Sequence, residues 1–423
     1  MSGPAGGTGS DILIDRDGPL TRAAVLTGGR LTDLYIDHAE RPSLLGHVFL
    51  GRVERIATGL DGAFVDLGTG KSGLLSALDA RGPKGRPKAK GERIGNLLRT
   101  GQTVLVQVKA DATGAKGPSL TMDITLPGRF LVHAPLGRDV AVSKRLGSGP
   151  ERTELARRIQ DIAPGAGWIV RAGAATAPDG LLAAESDALH LAWRSIRDAA
   201  ERGGGPSLLL TGPDAPRRAL IEHGATAPSR IIVDDVALAR DLADWCADRA
   251  PDLEERVEPF DARLLAAPCP DRTGGGRQRL FDLRDLDAEI ETLLGTRVPL
   301  SGGGSLVIER TEAMTVVDVN AGERGNPLDV NLEAAAEIAR QLRLRNAGGI
   351  VVVDFVNMRN RGDAERLLNA LSRAVEDDPA QTQVYGLSKL GLVEMTRARR
   401  GTALAELLGT VRLDPNRTGA AED

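Results

Sequence analysis

Two short apolar runs separated by a helical repeat, in the last third of the chain, restrict the fold more than any other sequence feature. Residues 314–319 (MTVVDV) and 350–355 (IVVVDF) have the length and the β-branched composition of strands. Between them, apolar residues recur at helical spacing at Leu332, Ala335, Ala339 and Leu342. Parallel strands need a crossover of this length, and such crossovers are right-handed. The pattern therefore predicts an α/β layer in which the two strands are parallel neighbours.

The helix and the second strand of this pattern allow more detailed predictions. Asn331 is a suitable N-cap, Glu333 in the first turn suits the helix dipole, and Gly348 and Gly349 follow the last helical residues. The second strand is apolar almost throughout, which is typical of a strand that is buried on both faces. We therefore expect a helix that starts at Asn331 and a second strand without a solvent-exposed face.

Two carboxylates at the ends of these runs are the strongest candidates for a functional site. Asp318 and Asp354 lie near the carboxyl ends of their strands, where open α/β sheets bind ligands. A hard divalent cation such as Mg²⁺ would hold two neighbouring carboxylates together and leave room for a phosphate oxygen. Asn320 is predicted on the same face as Asp318, where it could orient a carboxylate or bind phosphate. Alternatively, each aspartate caps a turn or pairs with an arginine such as Arg340 or Arg343, and the pattern alone leaves both interpretations open.

The region from residue 44 to residue 127 consists of short strand-like runs with turn residues between them. This pattern predicts a small barrel of about five strands. A basic insert at residues 81–93 holds six basic residues and one glutamate, a local charge of +5, which indicates a solvated linker or a segment that attracts phosphate. Phe64 is either a core residue or an aromatic on which a base stacks, and Lys116 by itself is an ordinary loop lysine.

The composition excludes several classes of protein. Of 423 residues, 54 are basic and 58 acidic, a net charge of −4, and 41% are hydrophobic, which excludes wholesale disorder. Cys246 and Cys269 cannot form a disulfide framework, and neither belongs to a C-x-x-C zinc pair. No apolar stretch reaches the length of a membrane span, and residues 1–10, a predicted disordered tail, lack the features of a signal peptide. A cytoplasmic protein without a membrane partner is expected.

Three stretches together resemble the catalytic half of the ribonuclease E/ribonuclease G family. They are residues 47–56 (HVFLGRVERI) with 62–68 (GAFVDLG), residues 299–308 (PLSGGGSLVI), and a long third stretch that joins 315–320 (TVVDVN), 331–345 (NLEAAAEIARQLRLR) and 348–355 (GGIVVVDF). The third stretch is the most specific. The resemblance extends from about residue 12 to about residue 405, nearly the whole chain.

The resemblance implies a multidomain α/β architecture. An RNase H-like subdomain would be split between residues 11–42 and 228–290. An OB-type RNA-binding barrel (43–127) and a 5′-sensor region (128–227) would be inserted into it. A DNase I-like α/β subdomain at residues 291–410 would carry the catalytic site, and residues 411–423 would form a tail.

The resemblance also implies a reaction. Asp318 and Asp354 match Mg²⁺ ligands, with Mn²⁺ as an alternative ion, and Asn320 matches the residue that supports them at the scissile phosphate. The implied activity is metal-dependent endonucleolytic hydrolysis of single-stranded RNA to 5′-phosphate and 3′-hydroxyl ends. Ribosomal RNA processing and messenger RNA decay are the processes in which such an activity would act.

The barrel positions that the resemblance assigns to RNA contacts are only partly kept. Phe64 and Lys116 match RNA-contacting residues, but the second exposed aromatic of the family is replaced by Leu74. Aromatic residues make up only 3% of the chain. We therefore expect RNA to be held more by charge than by stacking, with an affinity that falls steeply as salt rises.

The sensor and the C-terminal region depart further from the family pattern. Arg171 matches the arginine that binds a 5′-monophosphate, but its threonine neighbour is replaced by Ala172 and another sensor arginine by Gln381. Residues 409–423 contain no cysteine, so we expect no structural zinc and no zinc-bridged tetramer, and instead a monomer or a dimer through another interface. These departures motivate an alternative prediction, an RNA-binding regulator of the same family with little or no turnover.

Overall fold

The computed structural model describes residues 9–112, 116–147, 149–165, 167–261, 279–358 and 360–409. The tail predicted at residues 411–423 lies outside the described residues, as do Cys269 and residues 1–8 of the tail predicted at the N-terminus. Ser10, which was assigned to that tail, already belongs to the first strand.

The earlier strands are β1 (Ser10–Asp17), β2 (Leu20–Thr27), β3 (Arg30–His38), β4 (Val48–Ala57), β5 (Gly62–Asp66), β6 (Gly73–Ser76), β7 (Thr103–Ala110), β8 (Ser119–Thr121), β9 (Leu126–Pro127), β10 (Leu131–His133), β11 (Val140–Val142) and β12 (Trp168–Val170). The later strands are β13 (Ser207–Leu210), β14 (Arg230–Val233), β15 (Val257–Pro259), β16 (Arg297–Pro299), β17 (Ser305–Arg310), β18 (Met314–Asn320), β19 (Gly349–Asp354), β20 (Gln383–Leu387) and β21 (Val393–Arg397).

The α-helices are α1 (Ile94–Leu97), α2 (Pro150–Ile162), α3 (Asp179–Glu201), α4 (Ala215–His223), α5 (Val236–Arg249), α6 (Pro251–Glu254), α7 (Leu280–Leu283), α8 (Leu286–Thr292), α9 (Pro327–Leu344), α10 (Arg361–Ala374) and α11 (Leu404–Gly409). The chain forms two compact units. The first consists of residues 1–23 and 37–260, and the second of residues 24–36 and 261–423.

The first unit contains a closed barrel of five strands. Strands β4, β5, β6, β8 and β7 pair in that order, and β4 also pairs with β7, which closes the barrel. The prediction of a small five-stranded barrel is thus confirmed. The core is aliphatic apart from Phe49, and it depends on close approach of backbone, because a Cβ on Gly73 would lie only 2.6 Å from the Leu120 side chain. Strand β13 pairs with β4 from residues 207–210, far outside the predicted boundaries of 43–127.

Two further sets of paired strands lie in the first unit. Strand β1 pairs in parallel with β14, and β14 with β15, so that residues 11–14 lie beside residues 230–233. These are the two segments that the resemblance assigns to one subdomain, and the assignment itself stays a prediction. Strands β9, β10, β11 and β12 form a second sheet, and its core includes residues of α2 and α3 around the fully buried Trp168.

The second unit is built on a six-stranded sheet in the order β16-β17-β18-β19-β21-β20. Strands β18 and β19 are parallel neighbours, joined by α9, and the other neighbouring strands of this sheet are antiparallel. The predicted strand–helix–strand crossover is therefore confirmed. Apolar residues of α9 and α10 pack with the buried side chains of the strands in one core.

The structure corrects two details of that region. Helix α9 begins at Pro327 with Asn326 as its cap, because proline is preorganised for the first helical position and the Asn326 side chain accepts the Leu328 amide. Asn331, the predicted cap, is instead fully buried inside the helix. Strand β19 is also not buried on both faces, since Ile350 is 48% exposed and Asp354 is exposed. Helices therefore cover one face of this sheet and leave the other open to solvent.

No helix in the described part of the chain is long and apolar enough to cross a membrane.

Candidate functional site

Asp318 and Asp354 lie side by side on the open face of the second unit's sheet. They are direct register partners in the parallel pair β18–β19, so their backbones are about 4.8 Å apart, the usual strand spacing. Alternation along β18 buries Val317 and Val319 and turns Asp318 and Asn320 outward. The predicted position at the carboxyl ends of adjacent strands is thus found, although the carboxylates face solvent rather than an apolar interior.

Asn320 is hydrogen-bonded to one of the two carboxylates. Its Nδ2 donates to Oδ2 of Asp318 at 2.7 Å, which fixes the orientation of that carboxylate. The alternative of arginine pairing finds no support in the structure, because Arg340 binds Glu337 and Glu289. Arg343 binds Asp33. Among the described residues, no side-chain hydrogen bond or ion pair reaches the Asp354 carboxylate.

Two adjacent carboxylates fit a hard divalent cation. Mg²⁺ is usually held by one or two carboxylates, keeps several waters and takes its other ligands from substrate phosphates. Asp318 and Asp354 supply such a pair, and the hydrogen bond from Asn320 leaves Oδ1 of Asp318 free of that contact. The described residues contain no group of three or more His, Cys, Asp or Glu that could hold an ion. The remaining ligands would therefore have to come from water and substrate.

Asn331 holds the chain where it leaves β19. Its Oδ1 accepts the Val356 amide at 3.0 Å, and its Nδ2 donates to the Val356 carbonyl at 2.8 Å. This pair of bonds ties α9 to the segment two residues beyond Asp354. Sequence reasoning interpreted Asn331 as a helix cap and missed this role, although an asparagine inside an apolar helix face is itself a signal of a buried partner.

A glycine-rich loop between β16 and β17 lies beside Asn320. Glu333 accepts the Gly302 amide at 3.0 Å, the Ser301 hydroxyl at 2.7 Å and a guanidinium N–H of Arg324 at 2.6 Å. These bonds, the Gly302 amide foremost, lower the pKa of Glu333 to about 2. A Cβ on Gly304 would lie 2.4 Å from the Asn320 carbonyl oxygen, so only glycine permits this approach. The network fixes the loop against the end of β18, and sequence reasoning assigned Glu333 only a helix-dipole role.

In the first unit, the predicted barrel residues lie close together. Phe64 and Leu74 are direct partners across β5 and β6, so the aromatic and the leucine that replaces its counterpart share one face. The Arg55 guanidinium lies 4.4 Å from the centre of the Phe64 ring, an additional cation on that face. Lys116 is exposed next to Gly117, and the following Pro118 carbonyl accepts the Leu74 amide at 2.8 Å. The structure thus places Lys116 two residues from Pro118, which is hydrogen-bonded to Leu74.

Arg171, the predicted sensor arginine, directly follows β12 and already has a carboxylate partner. Its guanidinium donates to both carboxylate oxygens of Glu222, at 2.6 and 3.3 Å. A phosphate at this position would have to share the guanidinium with Glu222. Gln381, in the second unit, is exposed and adopts a left-handed backbone with φ of 54°.

Comparison with known proteins gives a family for this chain. The sequence profile of the ribonuclease E/G family matches residues 125–400. The chain belongs to the ribonuclease E/G family. It is 34% identical to ribonuclease G of Escherichia coli over 414 residues, which cover 94% of this chain and 82% of that protein. The resemblance inferred from the sequence motifs is confirmed.

Other family members match over a similar part of this chain. Ribonuclease G of Haemophilus influenzae is 32% identical over 402 residues, which cover 92% of this chain and 79% of that protein. Ribonuclease E of Nostoc sp. is 36% identical over 400 residues, covering 92% of this chain but 56% of the longer relative.

Proposed function

We propose that this member of the ribonuclease E/G family is a metal-dependent endoribonuclease. It would hydrolyse single-stranded RNA to 5′-phosphate and 3′-hydroxyl ends in cytoplasmic RNA processing or decay. The proposal depends on one observation. Asp318 and Asp354 lie opposite each other on adjacent parallel strands of an open sheet face, and Asn320 is hydrogen-bonded to the Asp318 carboxylate. The ribonuclease names of the relatives supply the substrate class.

Each residue of the site would have a separate role. Asp318 and Asp354 would hold Mg²⁺, or Mn²⁺ as an alternative, and Asn320 would keep the Asp318 carboxylate in a binding orientation. The ion, when bound, polarises a phosphoryl oxygen and lowers the pKa of a water. Because the carboxylates stand on rigid neighbouring strands, the distance between them is set before substrate arrives. Because this sheet face is exposed to solvent, single-stranded RNA can reach the two carboxylates without a rearrangement of the sheet.

The barrel would bind a part of the RNA strand other than the reacting phosphate. Phe64 offers a stacking surface, Lys116 a cation and Arg55 a further cation, whereas Leu74 offers no ring. Arg171 would bind a terminal phosphate only in competition with Glu222. We therefore propose that cleavage depends little on a 5′-monophosphate.

An RNA-binding regulator without turnover remains a second candidate function. It is favoured by the Arg171–Glu222 pair and by the loss of the aromatic at Leu74. It does not explain the two outward-facing aspartates on adjacent strands, because like charges at this distance repel unless a cation lies between them.

A cleavage assay with matched variants tests the proposal. The full chain is incubated with a fluorescent single-stranded RNA, or the DNA of the same sequence, with Mg²⁺ or with a chelator. We expect Mg²⁺-dependent cleavage of the RNA only, and at least a thousandfold loss of rate in Asp318→Asn, since removal of an ion ligand removes the chemistry. Glu312→Gln, an exposed carboxylate just before the same strand, is the control and should cleave normally.

Three outcomes of that assay would contradict the proposal. Binding without cleavage by the unaltered chain would favour the regulator. Equal cleavage of the DNA would indicate a general phosphodiesterase. Normal cleavage by Asp318→Asn, whose fold is checked by its thermal unfolding, would remove the aspartates from the reaction.

A further inference from the structure

One of the most exposed large apolar or aromatic side chains of the second unit lies on the same sheet face as the aspartates. Tyr385 on the edge strand β20 is 61% exposed. Its hydroxyl lies 3.2 Å from the Thr396 hydroxyl, and Thr396 is the register partner of Ile350 in β19. Ile350 and Asp354 are separated by an even number of residues, so both point to this face. Tyr385 therefore looks outward on the same side as the candidate metal ligands.

The open face that carries Tyr385 and the aspartates also holds exposed apolar side chains. Ile350 is 48% exposed and Val316 is 37% exposed, and both lie on this face. Two strand spacings and about two residues along a strand separate Tyr385 from Asp354, which amounts to about 12 Å. This is a short distance along an extended nucleic-acid strand whose reacting phosphate sits at the aspartates.

We propose that Tyr385 is a stacking platform for a nucleobase of the single-stranded RNA, close to the phosphate held by Asp318 and Asp354. The proposal rests on the proposed function, because it takes the aspartates as the place of the reacting phosphate.

The charges of this face decide which part of the strand covers it. Glu394 is exposed between Tyr385 and the aspartates, as the register partner of Val352. Its carboxylate repels phosphate and leaves the bases to lie over the apolar surface. Lys389, exposed in the turn after β20, lies at the same end of the sheet as Asp354 and supplies a cation for the phosphate backbone on that side of the stacked base. An exposed aromatic ring on which a base can stack, with a cation nearby for the backbone, is a combination that single-strand binding sites use.

Stacking on Tyr385 would compensate for weaker base stacking on the barrel. Leu74 removes one ring from the barrel face, whereas Tyr385 supplies one on the face where the reaction would occur. The ring is tethered by its hydroxyl to Thr396, so little side-chain freedom is lost when a base stacks on it.

Base-by-base fluorescence quenching tests the platform. The full chain without divalent cations is titrated into a set of short single-stranded RNAs that carry 2-aminopurine at successive positions. We expect strong quenching at one or two adjacent positions.

The Tyr385→Leu variant should abolish this quenching and weaken RNA binding about tenfold, since stacking contributes about 1–3 kcal/mol per base. Tyr385→Phe, which keeps the ring, should retain quenching and affinity. Thermal unfolding of each variant checks the fold, and Tyr385→Trp, with a larger ring, should bind at least as tightly as the unaltered chain.

Cleavage kinetics separate this inference from the proposed function. In Mg²⁺, Tyr385→Leu should raise KM with kcat nearly unchanged, because the ring binds substrate and transition state alike. Cleavage with an unchanged KM and unchanged quenching would overturn the platform and leave the nuclease intact. Tyr385-dependent quenching without cleavage would support the platform and defeat the nuclease. A change of oligomeric state in Tyr385→Leu with normal RNA affinity would also overturn it, since a second copy of the chain would then cover the face.

Discussion

Single residues of this protein show how burial decides the behaviour of a side chain. His133 is buried, and its Nδ1 has no hydrogen-bond partner among the described residues. Its ring lies 4.6 Å from the Trp168 ring and 4.8 Å from the His190 ring, centre to centre. Burial, and then the neighbouring His190, lower the pKa of His133 to about 4. The folded protein therefore holds this imidazole neutral at physiological pH.

This residue predicts an acid sensitivity of the first unit. The pKa of His133 is lower in the folded than in the unfolded chain, so its contribution to stability is complete above about pH 6.5 and is lost as the pH falls towards 4. The loss should reach at most about 3 kcal/mol. Urea unfolding followed at a series of pH values measures it, and His133→Phe should flatten the dependence in that window. An identical pH profile for the variant would contradict the assignment.

At the scale of elements, regular patterns were predictable and exceptions to them were not. The α9 crossover and the five barrel strands follow from periodicity and turn residues, which are local signals. The predicted start of α9 was wrong because both Asn326 and Asn331 are suitable cap residues. Only Asn326 precedes a proline. The exposed face of β19 was missed because its apolar sequence does not show which face the helices cover. The position of Tyr385 depends on a register shift between Val384 and Gly386, which tertiary pairing sets.

The link between α9 and the end of β19 carries a prediction at this scale. Asn331→Leu removes both partners of the Val356 backbone groups, and each unsatisfied buried group costs about 1–3 kcal/mol. We expect a loss of about 2–5 kcal/mol in the free energy of unfolding, measured with urea. The concentration of Mg²⁺ needed for half-maximal cleavage should also rise, because Asp354 lies two residues before Val356. Full stability of the variant would show that the link is dispensable.

At the scale of the whole molecule, the distribution of charge differs from what the sequence indicated. Three arginines of the basic insert are paired, Arg81 with Asp123, Arg86 with Glu92 and Arg93 with Asp61. The clustered arginines of α9 likewise bind groups of the protein itself, Arg340 to Glu337 and Arg343 to Asp33. A count of charges does not show which of them are paired, and three of these partners, Asp123, Asp61 and Asp33, are distant along the chain.

RNA binding should accordingly depend on a limited set of cations. We expect the logarithm of the RNA affinity to fall linearly with the logarithm of salt concentration, with Lys116→Ala lowering the slope by about 0.7, the effect of one phosphate contact on a single strand. Arg343→Lys, at a buried pair in the second unit, should leave the slope unchanged. Equilibrium titrations without divalent cations at several salt concentrations measure both. An unchanged slope for Lys116→Ala would remove that lysine from the interface.

The family assignment, the aspartate pair and the exposed sheet face together support one central proposal, that Asp318 and Asp354 would hold the divalent ion on which RNA cleavage by this protein depends. The most direct test is the initial rate of cleavage of a single-stranded RNA as a function of Mg²⁺ concentration, for the unaltered chain and for Asp354→Asn. We predict a saturable rise in rate for the unaltered chain and no cleavage by Asp354→Asn at any Mg²⁺ concentration. Cleavage that persists in a chelator, or equal rates for the two proteins, would contradict the claim.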